Sequence, residues 1–86
     1  MKGVWGALSD GTRREILTML RESPMTAGEI AERFTLSAAT VSHHLSVLKE
    51  CGLIEGEKRA QTITYSLNTT VFQEFLKSIA SILEKK

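Results

Sequence analysis

Only three residues, Phe34 to Leu36, separate two short helical patterns, and a chain that must turn so sharply between helices has few folds open to it. The first pattern is announced by Thr26-x-x-Glu29. That is the spacing at which a hydroxyl and a carboxylate cap each other's backbone N–H groups, so a helix is expected from Ala27 to about Phe34. Ser37 opens the second, in which Val41, Leu45 and Leu48 recur at i, i+4 and i+7 up to Cys51. Gly52 stands where a left-handed C-terminal cap is needed. With no long loop between them, the two helices must meet at a corner of the helix-turn-helix kind.

The flanking segments fill in the rest. Residues 2–8 make one or two apolar helical turns, followed by Ser9 and Asp10, both good N-cap types. From Thr12 to Glu22 the residues Ile16, Leu17, Met19 and Leu20 cover a wide arc. Arg13, Arg14, Glu15, Thr18 and Arg21 take the remainder. Pro24 ends that helix, because proline disfavours helix at the residue before it. After Gly52 the period changes to two. Ile63, Tyr65 and Leu67 alternate with Thr62, Thr64 and Ser66, which predicts a strand, and 53–58 is its hairpin partner across a turn near Arg59 and Ala60. Asn68, Thr69 and Thr70 offer caps for a last helix, Val71 to Lys85, with Phe72, Phe75, Leu76, Ile79, Ile82 and Leu83 on one broad side.

At 86 residues, 42% hydrophobic and 24% charged, the chain is one soluble globular domain. A domain this small buries only roughly 60% of the surface its unfolded chain exposes, so it needs a staple. One cysteine, Cys51, makes no internal disulfide, and with only His43 and His44 beside it a structural zinc is poorly supplied. A partner subunit is the remaining route. The longest apolar stretch near the start, Gly3 to Leu8, is too short for a signal-peptide core or a membrane span, which predicts a cytoplasmic chain without membrane insertion. Eleven basic residues against ten acidic ones exclude a bulk polycation, so a nucleic-acid role has to come from local placement of charge.

The order helix, helix, helix, helix, hairpin, helix is that of a winged helix-turn-helix, mainly α with a small β-hairpin. Leu8-Ser9-Asp10 with Arg13 and Ile16-Leu17, the Ser42-His43-His44-Leu45 run, and Leu48 to Ile54 together resemble the ArsR-type bacterial repressors over nearly the whole chain. Met25-Thr26-Ala27, Ser42-His43-His44-Leu45 and Tyr65 to Thr70 look more like an autorepressor branch of that family than like its metal sensors. The resemblance implies one domain over 1–86, with a helix-turn-helix at about 26–51, a wing at about 53–67 and a dimerisation helix at about 70–85. It implies a homodimer that represses transcription from a double-stranded DNA operator, its own gene included, with no cofactor. A membrane-bound protein that sequesters the repressor is the further partner it suggests.

A DNA-reading helix needs one face fixed to the core and another carrying short polar side chains. At about 100° per residue from Val41, Leu45 and Leu48 lie within about 40° of it, while Ala39, His43 and Ser46 fall on the far side, flanked by Thr40 and Ser42. No acidic residue lies between Thr35 and Glu50 to repel phosphate. Ser37, Thr40, Ser42 and Ser46 are therefore candidates for bases and phosphates, Ala39 for a thymine methyl, and His43 for a base edge or phosphate oxygen. Ordinary amphipathic helices share this pattern, and Ser37 and Thr26 have structural work as caps. His44, beside the core stripe, is expected to pack and bond to a neighbouring helix. Lys58, Arg59 and Gln61 near the hairpin tip are candidates for phosphates or a minor groove; their plain alternative is a solvated turn. Family members often carry glycine where Ala60 and Thr35 stand, which puts the geometry of both turns in question.

The chain ends supply the expected dimer surface, formed by Val4, Trp5, Leu8, Phe72, Phe75, Leu76, Ile79 and Leu83. No metal site is expected. Gly28 to Glu32 replaces the cysteine motif of metal-sensing members, the last helix lacks histidine, and His43, His44 and Cys51 point apart. Cys51, near a helix C-terminus, reads as a small buried hydrophobe. No nucleophile, base and orienting acid share a pocket-like spacing, so the chain does not read as an enzyme. The rival readings are a winged helix that docks a protein partner and a metal-responsive repressor.

Overall fold

The computed structural model describes residues 3–84. Its elements are α1 (Val4–Leu8), α2 (Gly11–Glu22), β1 (Met25–Thr26), α3 (Ala27–Glu32), α4 (Ala38–Glu50), β2 (Ile54–Arg59), β3 (Thr62–Leu67) and α5 (Thr69–Leu83). The expected participation of Lys2 in the first helix and of Lys85 in the last lies outside the described residues.

Local chemistry sets most of the boundaries. Asp10, Thr26, Ser37 and Asn68 each accept a backbone N–H of the following helix, from Arg13, Glu29, Thr40 and Val71 respectively. Glu29 returns the bond to the Thr26 N–H at 2.8 Å and completes the capping box. α3 is shorter than its sequence pattern, ending at Glu32, because the N–H groups of Arg33 and Phe34 turn back to Ile30 and Ala31 in a tightened last turn. At the end of α4, Gly52 takes φ 86° and donates to Lys49 O at 3.0 Å, and Leu53 donates to Leu48 O at 3.1 Å. These are the two bonds of a Schellman motif. They aim the chain from α4 straight into β2, with Leu48 and Leu53 both fully buried across the bend.

The sheet has three antiparallel strands in the order β1-β3-β2, one more than the hairpin expected from sequence. The hairpin pairs Ile54 with Leu67 through Arg59 with Thr62, and β1 adds Met25 opposite Tyr65 and Thr26 opposite Thr64. β1 thereby fastens the start of α3 to the base of the wing.

Ile16, Leu17 and Leu20 of α2, Ile30 of α3, and Val41, Leu45 and Leu48 of α4 meet Val4, Ala7, Met25, Leu53, Ile54 and Phe75 in one core. Truncating a fully buried leucine here, Leu48 for instance, costs about 2 to 5 kcal/mol, a large share of what holds a domain of this size together. The body measures 50 × 25 × 22 Å. α5, about 22 Å long, contributes a single buried residue, Phe75. Two members of the expected dimer surface are therefore reassigned. Val4 and Phe75 are covered by their own chain, because the short α1 lies on α2 and α4 and turns Val4 and Ala7 inward. Leu8, Phe72 and Ile79 are half-buried against the same core.

Candidate nucleic-acid interface

α4 divides cleanly into two faces. Val41, His44, Leu45 and Leu48 are buried, whereas Ala38, Ala39, Thr40, Ser42, His43 and Ser46 are exposed. The outward face carries three hydroxyls, a pair of methyls at the helix start and an imidazole, with no carboxylate before Glu50. Val47 sits half-buried against the core, so no large apolar side chain stands free in this row.

The first turn of α4 is fixed by its cap. The Ser37 side chain accepts the Thr40 N–H at 3.1 Å and lies 3.0 Å from the Thr40 hydroxyl, yet both side chains stay at the surface. Such a helix start combines orphan N–H groups with the positive end of the helix dipole, which favours an anion. Thr35, in the corner, has an ordinary negative φ, so the turn between α3 and α4 closes without glycine.

His44 packs as expected, and its partner comes from α2. The Arg13 guanidinium donates from Nη1 to His44 Nδ1 at 3.1 Å, from Nε to Ala7 O at 3.0 Å and from Nη2 to Gly6 O at 3.3 Å. A guanidinium has only N–H donors, so in this bond His44 Nδ1 is the acceptor. The Arg13 backbone N–H also donates to Asp10 Oδ1 at 3.0 Å. That bond is the main cause that holds the Asp10 carboxyl below its usual 3.8. Sequence patterning had put Arg13 on the polar side of α2 and missed this role. The available signal was α1 itself, whose five residues leave C-terminal carbonyls in need of donors from the next helix.

The wing projects away from the core. Lys58, Arg59, Ala60 and Gln61 are all exposed, and Arg59 lies about 17 Å along β2 from the buried Ile54. Arg59 Nη2 meets Glu57 Oε2 at 3.3 Å in an exposed pair that a phosphate can displace at little cost. The turn does require the left-handed region. Ala60 adopts φ 56°, a conformation that costs an L-residue about 1 to 2 kcal/mol. Gln61 and Thr26 come together on an open depression of about 320 Å³, where the start of α3 meets β3. The Thr26 hydroxyl there already accepts the Glu29 N–H.

Among the described residues no three His, Cys, Asp or Glu side chains gather into a metal-binding group, and Cys51 Sγ donates to Leu48 O at 3.3 Å. No helix among them is long and apolar enough to cross a membrane.

α1 and α5 present Trp5, Leu76, Ile82 and Leu83, which are 65%, 60%, 67% and 80% exposed. Ile82 is an addition to the sequence-predicted surface. Trp5 sets its ring edge-on to Phe75, with centroids 4.9 Å apart, joining the two helices into one apolar edge.

Residues 10–56, more than half of the chain, match the family model described as bacterial regulatory protein, arsR family. The transcriptional repressor SdpR of Bacillus subtilis (strain 168) is 45% identical over 85 residues, which is 99% of this chain and 94% of that protein. The transcriptional activator HlyU of Vibrio cholerae is 38% identical over 64 residues, covering 74% of this chain and 59% of its own length. Among solved structures, an ArsR-like transcriptional regulator from Rhodococcus sp. RHA1 superposes with a TM-score of 0.84 at 34% identity, over 93% of this chain and 76% of that one.

Proposed function

The chain belongs to the ArsR family of bacterial regulatory proteins, a family of regulators and not of enzymes, and from that premise we propose that it is a DNA-binding transcriptional repressor acting as a homodimer on a pseudo-palindromic operator. One observation carries the reading. The exposed row Ala39, Thr40, Ser42, His43 and Ser46 stands opposite the buried row Val41, His44, Leu45 and Leu48, on the second helix of a helix-turn-helix.

On this reading residues 1–86 form one domain. Ala39, Thr40, Ser42, His43 and Ser46 meet base edges, while Ser37 and Thr26 offer capped helix starts to phosphates. Lys58, Arg59 and Gln61 on the wing add phosphate or minor-groove contacts. A near-neutral chain can still bind a polyanion because two exposed cations, Lys58 and Arg59, stand at the wing tip and the carboxylates stay off the reading face.

The second copy docks through Trp5, Leu76, Ile82 and Leu83, with Leu8, Phe72 and Ile79 at the margin. Four large apolar side chains left 60 to 80% exposed along one edge are more than a small monomer needs, and a two-fold axis through that edge gives two reading helices. Repression rather than activation is favoured by the likeness to SdpR over nearly the full length of both chains. Control of its own gene, a cytoplasmic location and release by a membrane-bound protein that sequesters the dimer extend the same reading, on the resemblance of Met25–Ala27 and Tyr65–Thr70 to the autorepressor branch.

Salt-dependent binding tests it. Fluorescence anisotropy on a labelled duplex carrying the chain's own promoter region should lose roughly 10³ to 10⁵ in affinity between 50 and 200 mM salt if six to ten phosphates are contacted. A flat salt dependence, or no binding to duplex at all, favours the protein-docking reading. A zinc titration that changes the affinity favours the metal-responsive one.

A further inference from the structure

We propose that Arg13 is a positioning residue for DNA recognition, setting the angle of α4 against the α1–α5 edge and hence the separation at which two copies present their reading helices. The inference rests on the reading above, in which α4 enters DNA and the α1–α5 edge carries the two-fold axis.

The geometry is specific. One guanidinium holds two C-terminal carbonyls of α1, at Gly6 and Ala7, with Nη2 and Nε, and with its remaining nitrogen holds the ring of His44 on α4, while the last carbonyl, at Leu8, is held by Arg14. Its own backbone is pinned at the same time, through the N–H bond to the Asp10 carboxylate that starts α2. Three helices therefore converge on one side chain. α1 in turn bears Trp5, whose ring meets Phe75 of α5 edge-on. A rigid path thus runs from the exposed apolar edge through α1 and Arg13 to a residue next in sequence to His43 on the outward face of α4.

The apolar core alone does not supply this. Aliphatic contacts between α2 and α4 are non-directional and tolerate small rotations, whereas a planar fork bonded to three fixed acceptors does not. A lysine keeps the charge but offers a single point donor, so it cannot hold all three acceptors in one geometry. Small rotations matter because one base pair of DNA shifts a half-site by about 3.4 Å and turns it by about 35°. A homodimer with loosened reading helices still binds phosphates; what it loses is its preference for one half-site spacing.

The experiment compares the wild-type chain with Arg13→Lys, His44→Leu and His44→Asn on duplexes whose two half-sites, selected with the wild-type chain, are moved apart or together one base pair at a time. Sedimentation and thermal melting accompany each variant. The wild type should prefer its best spacing by about tenfold over its neighbours, and Arg13→Lys and His44→Leu should fall to about twofold while remaining folded dimers with unchanged affinity for unrelated duplex. His44→Asn, whose side-chain oxygen replaces Nδ1 as an acceptor, should keep most of the preference. Should Arg13→Lys fail to fold, His44→Leu carries the test, since it keeps the packed volume and removes only the acceptor. An equal loss of affinity at every spacing makes the tie merely structural and overturns the proposal, as does full retention of the preference in both variants. A wild-type chain without any preferred spacing overturns the DNA-binding dimer first, and this inference with it.

Discussion

Leu76→Gln separates the dimer edge from the core in a single substitution. Leu76 is 60% exposed in one copy, so about 0.6 of the 1.5 to 3 kcal/mol available from burying a leucine is still unrealised, or roughly 1 to 2 kcal/mol per copy. A two-fold interface counts the loss twice, about 2 to 4 kcal/mol, which weakens dimerisation by about 30-fold to several-hundred-fold. Glutamine is a good helix former and Leu76 lies outside the buried core, so α5 and the monomer fold should survive. Analytical ultracentrifugation over a concentration series measures the dissociation constant, and circular dichroism checks that helix content is kept. Because a split pair of half-sites needs both copies, operator affinity should fall in parallel. An unchanged dissociation constant in Leu76→Gln, repeated in Leu83→Gln, would refute the assignment of this edge to the second copy.

Ala60→Gly should raise the melting temperature, by a few degrees at about 1 kcal/mol, because glycine accepts φ 56° without the strain alanine bears there; thermal melting checks it. Asp10→Ala should lower stability at neutral pH. The Asp10 carboxyl sits below 3.8 when folded, so its contribution is complete above that value and is lost as the pH falls through the folded pKa; chemical denaturation across the acid range should show wild type and variant converging. Ser42→Ala and His43→Ala should flatten base preference with little change in salt dependence. Lys58→Ala and Arg59→Ala should weaken all duplexes alike, each reducing the salt slope by about one, as competition binding on matched and scrambled duplexes would reveal.

What sequence alone conveyed was whatever is decided within a few residues. Asp10, Thr26 with Glu29, Ser37 and Asn68 cap their helices through bonds to residues three positions away, and Gly52 closes α4 through its own φ, so periodicity and composition sufficed to place five helices and a hairpin. The outward row of α4 was readable for the same reason, since Val41, Leu45 and Leu48 fix the inward one. β1 was not, because two residues after a proline carry no period and Met25 finds its partner, Tyr65, forty positions later. Val4 and Phe75 were placed on the wrong side because a broad apolar helix face does not say which half its own chain will cover. Arg13 was lost in the same way. A helical wheel counts arginine as solvent-facing, whereas the orphan carbonyls of α1 and an unprotonated His44 nitrogen draw it inward.

Selection of bound duplexes from a random library at fixed salt tests the central claim most directly. Two reading helices held by one two-fold axis should enrich inverted half-sites with centres about 34 Å apart, ten to eleven base pairs along the duplex. Enrichment of a lone half-site, of a pair with no fixed spacing, or of no sequence at all would contradict it.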